Sequence, residues 1–403
     1  MRSGDREMRS TRMGSGGRLK IGFRPRRLFV LAFLAVAVAL AAVYWSWIDA
    51  QARAAVVLSS VLETPVLTPV VGALTREPSV EDTVFAGRPT LVAKPAGEGP
   101  WPAILFVNGT VPEGRAYPEV QNLARGLARA GYLVVVPDLP GLTTDEITGE
   151  TVSSTAEAAR AVADSPDARD GRVGLVGVST GATLSLLAAQ DPAVSERVSV
   201  VAGVAPYTDI RTVLSIATTD HYREGREYVP YDADPFLSYV IAKSLLAALP
   251  SGEDRDELRA ELEAVDRLDP VPLAGLRDRP TTDLSPEARS VVELLANTDP
   301  ERFDELYAAL SPEIRAGMEE LSPLAGDERI SAPVELASGE RDKYFPVSES
   351  FAVDHIAADH QVTVSEAIDH SEVGFSDVPA FARLDGFVVR SLREARLAQG
   401  ADG

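Results

Sequence analysis

The chain has 403 residues, 45% hydrophobic and 25% charged, enough for one large globular domain or two smaller ones. It has no cysteine, which excludes disulfides, a thiol nucleophile and cysteine-ligated metal. Of the formal charge of −21, residues 1–27 hold about +7 (nine basic and two acidic side chains), so the remainder carries about −28 and repels nucleic-acid phosphates.

Residues 1–27 read as a basic cytoplasmic tail. Residues 28–48, "LFVLAFLAVAVALAAVYWSWI", are 21 residues without a charge. As a helix they would span roughly 30 Å, the thickness of bilayer hydrocarbon. Arg24, Arg26 and Arg27 precede the run, and Tyr44, Trp45 and Trp47 close it. The expectation is a single-pass anchor in the cell membrane, N-terminus cytoplasmic and the rest extracytoplasmic. A cleaved signal peptide, cut at the "AQA" of residues 50–52 with secretion of the remainder, is the alternative. The run is longer than the roughly 7–15 apolar residues usual there. Residues 49–77, broken by Pro65 and Pro69, read as a juxtamembrane connector, with a short helix near residues 54–62 at the lipid surface.

From residue 78 the rhythm changes. "SVEDTVF" and "RPTLVAKP" are strand-like around a turn at Ala86-Gly87, and "PAILFVNG" is a continuous apolar run suited to a strand buried on both faces. A helical stripe of Val120, Leu123, Ala124 and Leu127 stops at Gly131, followed by "LVVVPDLPG", a helix near residues 152–163, "RVGLVGVS", a helix over 180–189 and "RVSVVAGVAPYTD". This alternation predicts an α/β fold: a mostly parallel sheet with helices on both faces and all strand C-termini on one edge. Residues 78–206 form its first part. Residues 207–329 are helix-like, acidic and proline-punctuated with no convincing strand, and read as a helical cap insertion. Residues 330–399 resume the core with "APVELAS", "QVTVSEAI" and a closing helix over 377–398.

"GVSTG", residues 177–181, places Ser179 between a buried strand and a helix. Glycines there permit a sharp turn with close backbone approach, and the helix N-terminus offers unpaired N–H groups beside the hydroxyl. A serine needs a base to become nucleophilic. Of four histidines, His370 follows a strand-like run and would reach the same edge. His355 and His360 fall in a helical stretch, five residues apart and so on different faces, which argues against a paired metal site. His221 reads as loop surface. For the carboxylate that orients the base, Asp342 in the turn after "PVELAS" is favoured over Asp209 and Glu340.

The order Ser179, Asp342, His370, with the strand–helix rhythm of residues 79–397, resembles the α/β-hydrolase superfamily. "GERDKYFP" looks like its acid turn, "DLPG" (residues 138–141) is similar to its Asp-x-x-Gly loop, and a large helical cap at this place is a family habit. The family often has His-Gly where this chain has Asn108-Gly109-Thr110; the N–H groups of Thr180 and Thr110, with Val111 as substitute for the latter, are the expected oxyanion donors. The resemblance implies a serine hydrolase acting on a carboxylic ester, with no cofactor and no metal, and the cap and membrane position suggest an ester of moderate or lipophilic character. Its partners would be a small-molecule or lipid-like ester and, through the N-terminal helix, the membrane, without nucleic acid. Peptide or amide hydrolysis, acyl transfer and a non-catalytic binding protein on the same fold stay open.

Overall fold

The computed structural model describes residues 44–61, 67–369, 372–373 and 378–397. The chain divides into two compact units, Met1–Ile48 and Asp49–Gly403, of which the second holds the fold. Residues 28–43 of the expected anchor lie outside the described residues. No helix among the described residues is long and apolar enough to cross a membrane.

Two helices, α1 (Trp45–Val61) and α2 (Leu67–Leu74), precede the sheet. The hairpin β1 (Ser79–Phe85) and β2 (Arg88–Lys94) turns at Ala86-Gly87. Then β3 (Trp101–Val107), α3 (Pro118–Arg129), β4 (Leu133–Pro137), α4 (Gly149–Asp164), β5 (Ala168–Val178), α5 (Thr180–Gln190) and β6 (Val198–Val204) alternate. The insertion follows as α6 (Ile210–Thr219), β7 (His221–Glu224), β8 (Glu227–Pro230), α7 (Phe236–Ala247), α8 (Glu253–Glu263), α9 (Ala274–Asp278), α10 (Pro286–Ala296), α11 (Phe303–Ala309) and α12 (Pro312–Glu319). The core resumes with β9 (Val334–Ser338), α13 (Val347–Phe351), β10 (His360–Val364), the short pair β11 (Ile368–Asp369) and β12 (Glu372–Val373), and α14 (Val378–Leu397).

Eight strands form one sheet in the order β1-β2-β4-β3-β5-β6-β9-β10. Only β2 runs against the rest, pairing antiparallel with β1 and β4; the other neighbouring pairs are parallel. The apolar run of β3 is explained by its two faces. Ala103, Leu105 and Val107 pack with α4 and α5, while Ile104 and Phe106 pack with α1, α3 and α14.

Three segments depart from the expectations. Residues 49–61 belong to α1, whose Ala50, Ala54 and Val57 recur at helical spacing and are buried with Val120, Ala124 and Leu127 of α3. The helices approach closely at Gly126, where a Cβ would lie 2.8 Å from Ser60 Cβ. In the insertion, β7 and β8 form a hairpin pairing Tyr222 with Val229 around Gly225, at φ 61°. The charges of "HYREGREYVP" hide its alternation. Finally, His355 ends a short 3-10 turn and His360 opens β10, because the β-branched run "VTV" pairs with β9 instead of extending a helix.

Candidate active site

Ser179 sits between β5 and α5 at φ 55°, ψ −130°, a conformation costly for any residue with a Cβ. Its N–H donates to Val204 O (2.8 Å) on β6, and its carbonyl accepts from Ala182 N–H (2.9 Å) in α5. The flanking glycines make this turn possible. A Cβ on Gly177 would meet Gly181 O at 2.2 Å, and one on Gly181 would meet Val107 O at 2.1 Å. Strand, turn and helix are therefore interlocked at backbone distance, leaving the serine half-buried on the edge where the parallel strands end.

The loop after β3 lies beside it. A Cβ on Gly109 would stand 3.4 Å from Ser179 Cβ and 4.0 Å from its Oγ. Asn108 braces this loop twice: its Oδ1 accepts the Gly109 N–H (2.9 Å) and its Nδ2 donates to Gly114 O (3.3 Å). Arg115 then ties the loop to the "DLPG" turn, its N–H donating to Asp138 Oδ1 (3.0 Å) and its guanidinium pairing with the same carboxylate. The Gly109 N–H is thus occupied. Among the described residues, neither the Thr110 nor the Thr180 N–H has a protein acceptor.

Asp342 is buried in the turn after β9, its Oδ1 accepting the N–H groups of Tyr344 (2.8 Å) and Phe345 (2.9 Å). His370 lies outside the described residues. Ile368, two positions earlier, packs its carbonyl against Gly339, where a Cβ would be 2.5 Å away. The acid turn and β11 therefore meet at Gly339 and Ile368. The rival Asp209 is the N-cap of α6, accepting from Arg211 N–H (2.9 Å), and burial raises its pKa. His221 and His360 hydrogen-bond their own turns, at Thr219 O (2.7 Å) and Ala357 O (2.8 Å). No cluster of metal ligands occurs among the described residues.

A family model, the alpha/beta hydrolase family, matches residues 104–339, which hold the Ser179 turn, the loop after β3 and the whole insertion. The chain belongs to this family. No curated protein matches it. Solved structures similar to this alpha/beta hydrolase include the Pyrococcus horikoshii acylaminoacyl peptidase (13% identity, 81% of this chain and 42% of that one, TM-score 0.44). The chain thus spans less than half of that protein. Others are the Mycobacterium smegmatis proline iminopeptidase (16%, 78% and 99%, TM-score 0.39) and a Rhodococcus 2-hydroxy-6-oxo-6-phenylhexa-2,4-dienoate hydrolase (18%, 78% and 99%, TM-score 0.41).

Two residues of this alpha/beta hydrolase carry roles that sequence gave no sign of. Glu349 of α13 is buried, and its Oε2 accepts from the N–H groups of Thr208 and Asp209 (both 2.8 Å) and from the Thr208 hydroxyl (3.1 Å). It fixes the chain that follows β6, where Tyr207 stands edge-on against Phe345 at 5.2 Å. Asp145, also buried, pairs with Arg267 of the insertion (2.9 Å). Between core and insertion, Thr180, Ile147, Tyr207 and Phe345 on one side and Leu237 and Ile241 on the other enclose a cavity of ≈ 20 Å³. It offers little more room than one water requires.

Proposed function

We propose that this alpha/beta hydrolase is a serine hydrolase that cleaves carboxylic esters through Ser179, His370 and Asp342. The observation that carries the reading is the strained Ser179 backbone, beside the Gly109 loop and the free end of α5. Nothing in the packing of the sheet requires a side chain at that φ, and strain of this kind persists where it serves a site. In the proposed reaction His370 removes the Ser179 proton as Oγ attacks the ester carbonyl carbon. The Thr110 and Thr180 N–H groups stabilise the oxyanion, a contribution of about 3–4 kcal/mol per donor in comparable sites. Collapse expels the alcohol, which takes the proton from His370. A water, deprotonated by His370, then attacks the acyl-enzyme, releasing a carboxylic acid and restoring Ser179. The residues that line the cavity beside Thr180 carry no charge, which supports a neutral, apolar substrate where the insertion meets the core.

The same reading keeps the N-terminal apolar run as an anchor and places the enzyme outside the membrane it spans. The burial of Ala50 supports retention, because cleavage after residue 52 would strip it from α1. Labelling by a fluorophosphonate probe, lost in Ser179→Ala with the fold intact, is the expected result. Unchanged labelling of that variant would overturn the nucleophile. Esters of graded acyl length, compared with peptide amides and with alcohol acceptors, distinguish the ester reading from peptidase and transferase activity, and an inert Ser179 points to a binding protein.

A further inference from the structure

The insertion grips the acid turn at three consecutive residues. The Tyr231 hydroxyl donates to the Asp342 carbonyl, the Asp234 N–H donates to Lys343 O (2.8 Å), and the Phe236 ring meets the Tyr344 ring edge-on at 6.2 Å. Tyr231 is itself held firmly. Its N–H donates to Asp220 O (2.8 Å) and its ring stands edge-on to Tyr222 at 5.9 Å. Burial keeps the phenol protonated well above neutrality, so it stays a donor.

On the other side of the same turn, the Asp342 carboxylate is aimed by the N–H groups of Tyr344 and Phe345. Peptide planes couple these two sets: Asp234 on the Lys343 carbonyl fixes the Tyr344 N–H of the same plane, and Tyr231 on the Asp342 carbonyl fixes the plane before it and with it the ψ of Asp342, whose Cα carries the carboxylate. The neighbouring cavity beside Thr180 has room for little more than one water, so a substrate group enters it only if the insertion shifts. A shift of the segment 231–236 would release all three contacts at once.

We propose that Tyr231 is a positioning residue that ties the insertion to the acid turn, so that seating of the insertion sets the aim of the Asp342 carboxylate. The proposal rests on Asp342 being the orienting acid. The test uses the full chain, p-nitrophenyl acetate turnover and the rate of fluorophosphonate labelling. Tyr231→Phe keeps the ring and removes one hydroxyl; kcat and the labelling rate should fall together by about tenfold with KM within about twofold and the melting temperature little changed. Phe236→Leu should lower kcat in the same direction by less. Wild-type kcat in Tyr231→Phe beside an inactive Asp342→Asn overturns the positioning role and leaves the acid in place. Loss of activity that follows unfolding in both variants also overturns it, since a purely structural contact would do that. A fully active Asp342→Asn removes the acid assignment and this proposal with it, while the Ser179→Ala result stands separately.

Discussion

Ser179 combines a reactive position with an unfavourable one. Its φ of 55° costs on the order of 1–3 kcal/mol in a residue bearing a Cβ. Ser179→Ala keeps that cost, whereas Ser179→Gly removes both the hydroxyl and the strain. We expect Ser179→Gly to be about 1–2 kcal/mol more stable than Ser179→Ala in denaturant melts, with both unlabelled by fluorophosphonate. Equal midpoints would mean that the turn is relaxed. Much of this was legible locally, since Gly177, Ser179 and Gly181 announce the turn within five residues of sequence. Asn108 was legible too, as the residue standing where the family often has histidine, and it does brace the loop. Tyr231 and Glu349 were not, because their partners lie 111 and 141 residues away and a contact of that separation leaves no local pattern.

At the scale of elements, strand and helix order in the core could be read from apolar runs alternating with amphipathic stripes, because β3 to β6 are buried on both faces. Two elements were harder to read. The β7–β8 hairpin is too charged to look like a strand, and α1 is legible only in part, as a short helix near residues 54–62 of a connector, because its packing on α3 depends on residues about 70 positions away. The insertion's seat on the core was also invisible, since it depends on charges far apart in sequence. Arg267 bonds Asp145, lies 4.6 Å over the Phe236 ring, and is seconded by Arg259 on Glu146 (2.6 Å) and by Ile147 N–H on the Ser244 hydroxyl (2.9 Å). Arg267→Ala leaves a buried carboxylate without its main partner, at a cost of about 2 kcal/mol given that the guanidinium is partly solvated. If these contacts hold the insertion down, the variant should label faster with a long-chain fluorophosphonate relative to a short one. An unchanged ratio of the two rates would show that they do not limit access to Ser179.

The whole molecule is acidic, at −21, and several of its carboxylates are buried. Burial raises the pKa of Glu349, Asp145, Asp209 and Glu335 against the hydrogen bonds and cations that lower it. Each native carboxyl therefore binds its proton more readily than the unfolded chain does. Their contribution to stability is complete below the ordinary carboxylate value and is lost as pH rises through the native one. Self-repulsion of the negative surface acts in the same direction. The two causes separate by salt and by mutation. Raising NaCl from about 10 mM to about 150 mM shortens the screening length from roughly 30 Å to roughly 8 Å, which weakens surface repulsion and leaves the buried groups nearly untouched. The melting temperature at pH 8 should rise accordingly. Glu349→Gln keeps an oxygen to accept the Thr208 and Asp209 N–H groups but carries no charge to desolvate. In thermal melts at constant ionic strength from about pH 4.5 to 8, its advantage over the wild type should grow with pH, and parallel curves would mean that the buried Glu349 is not among the groups that titrate with folding.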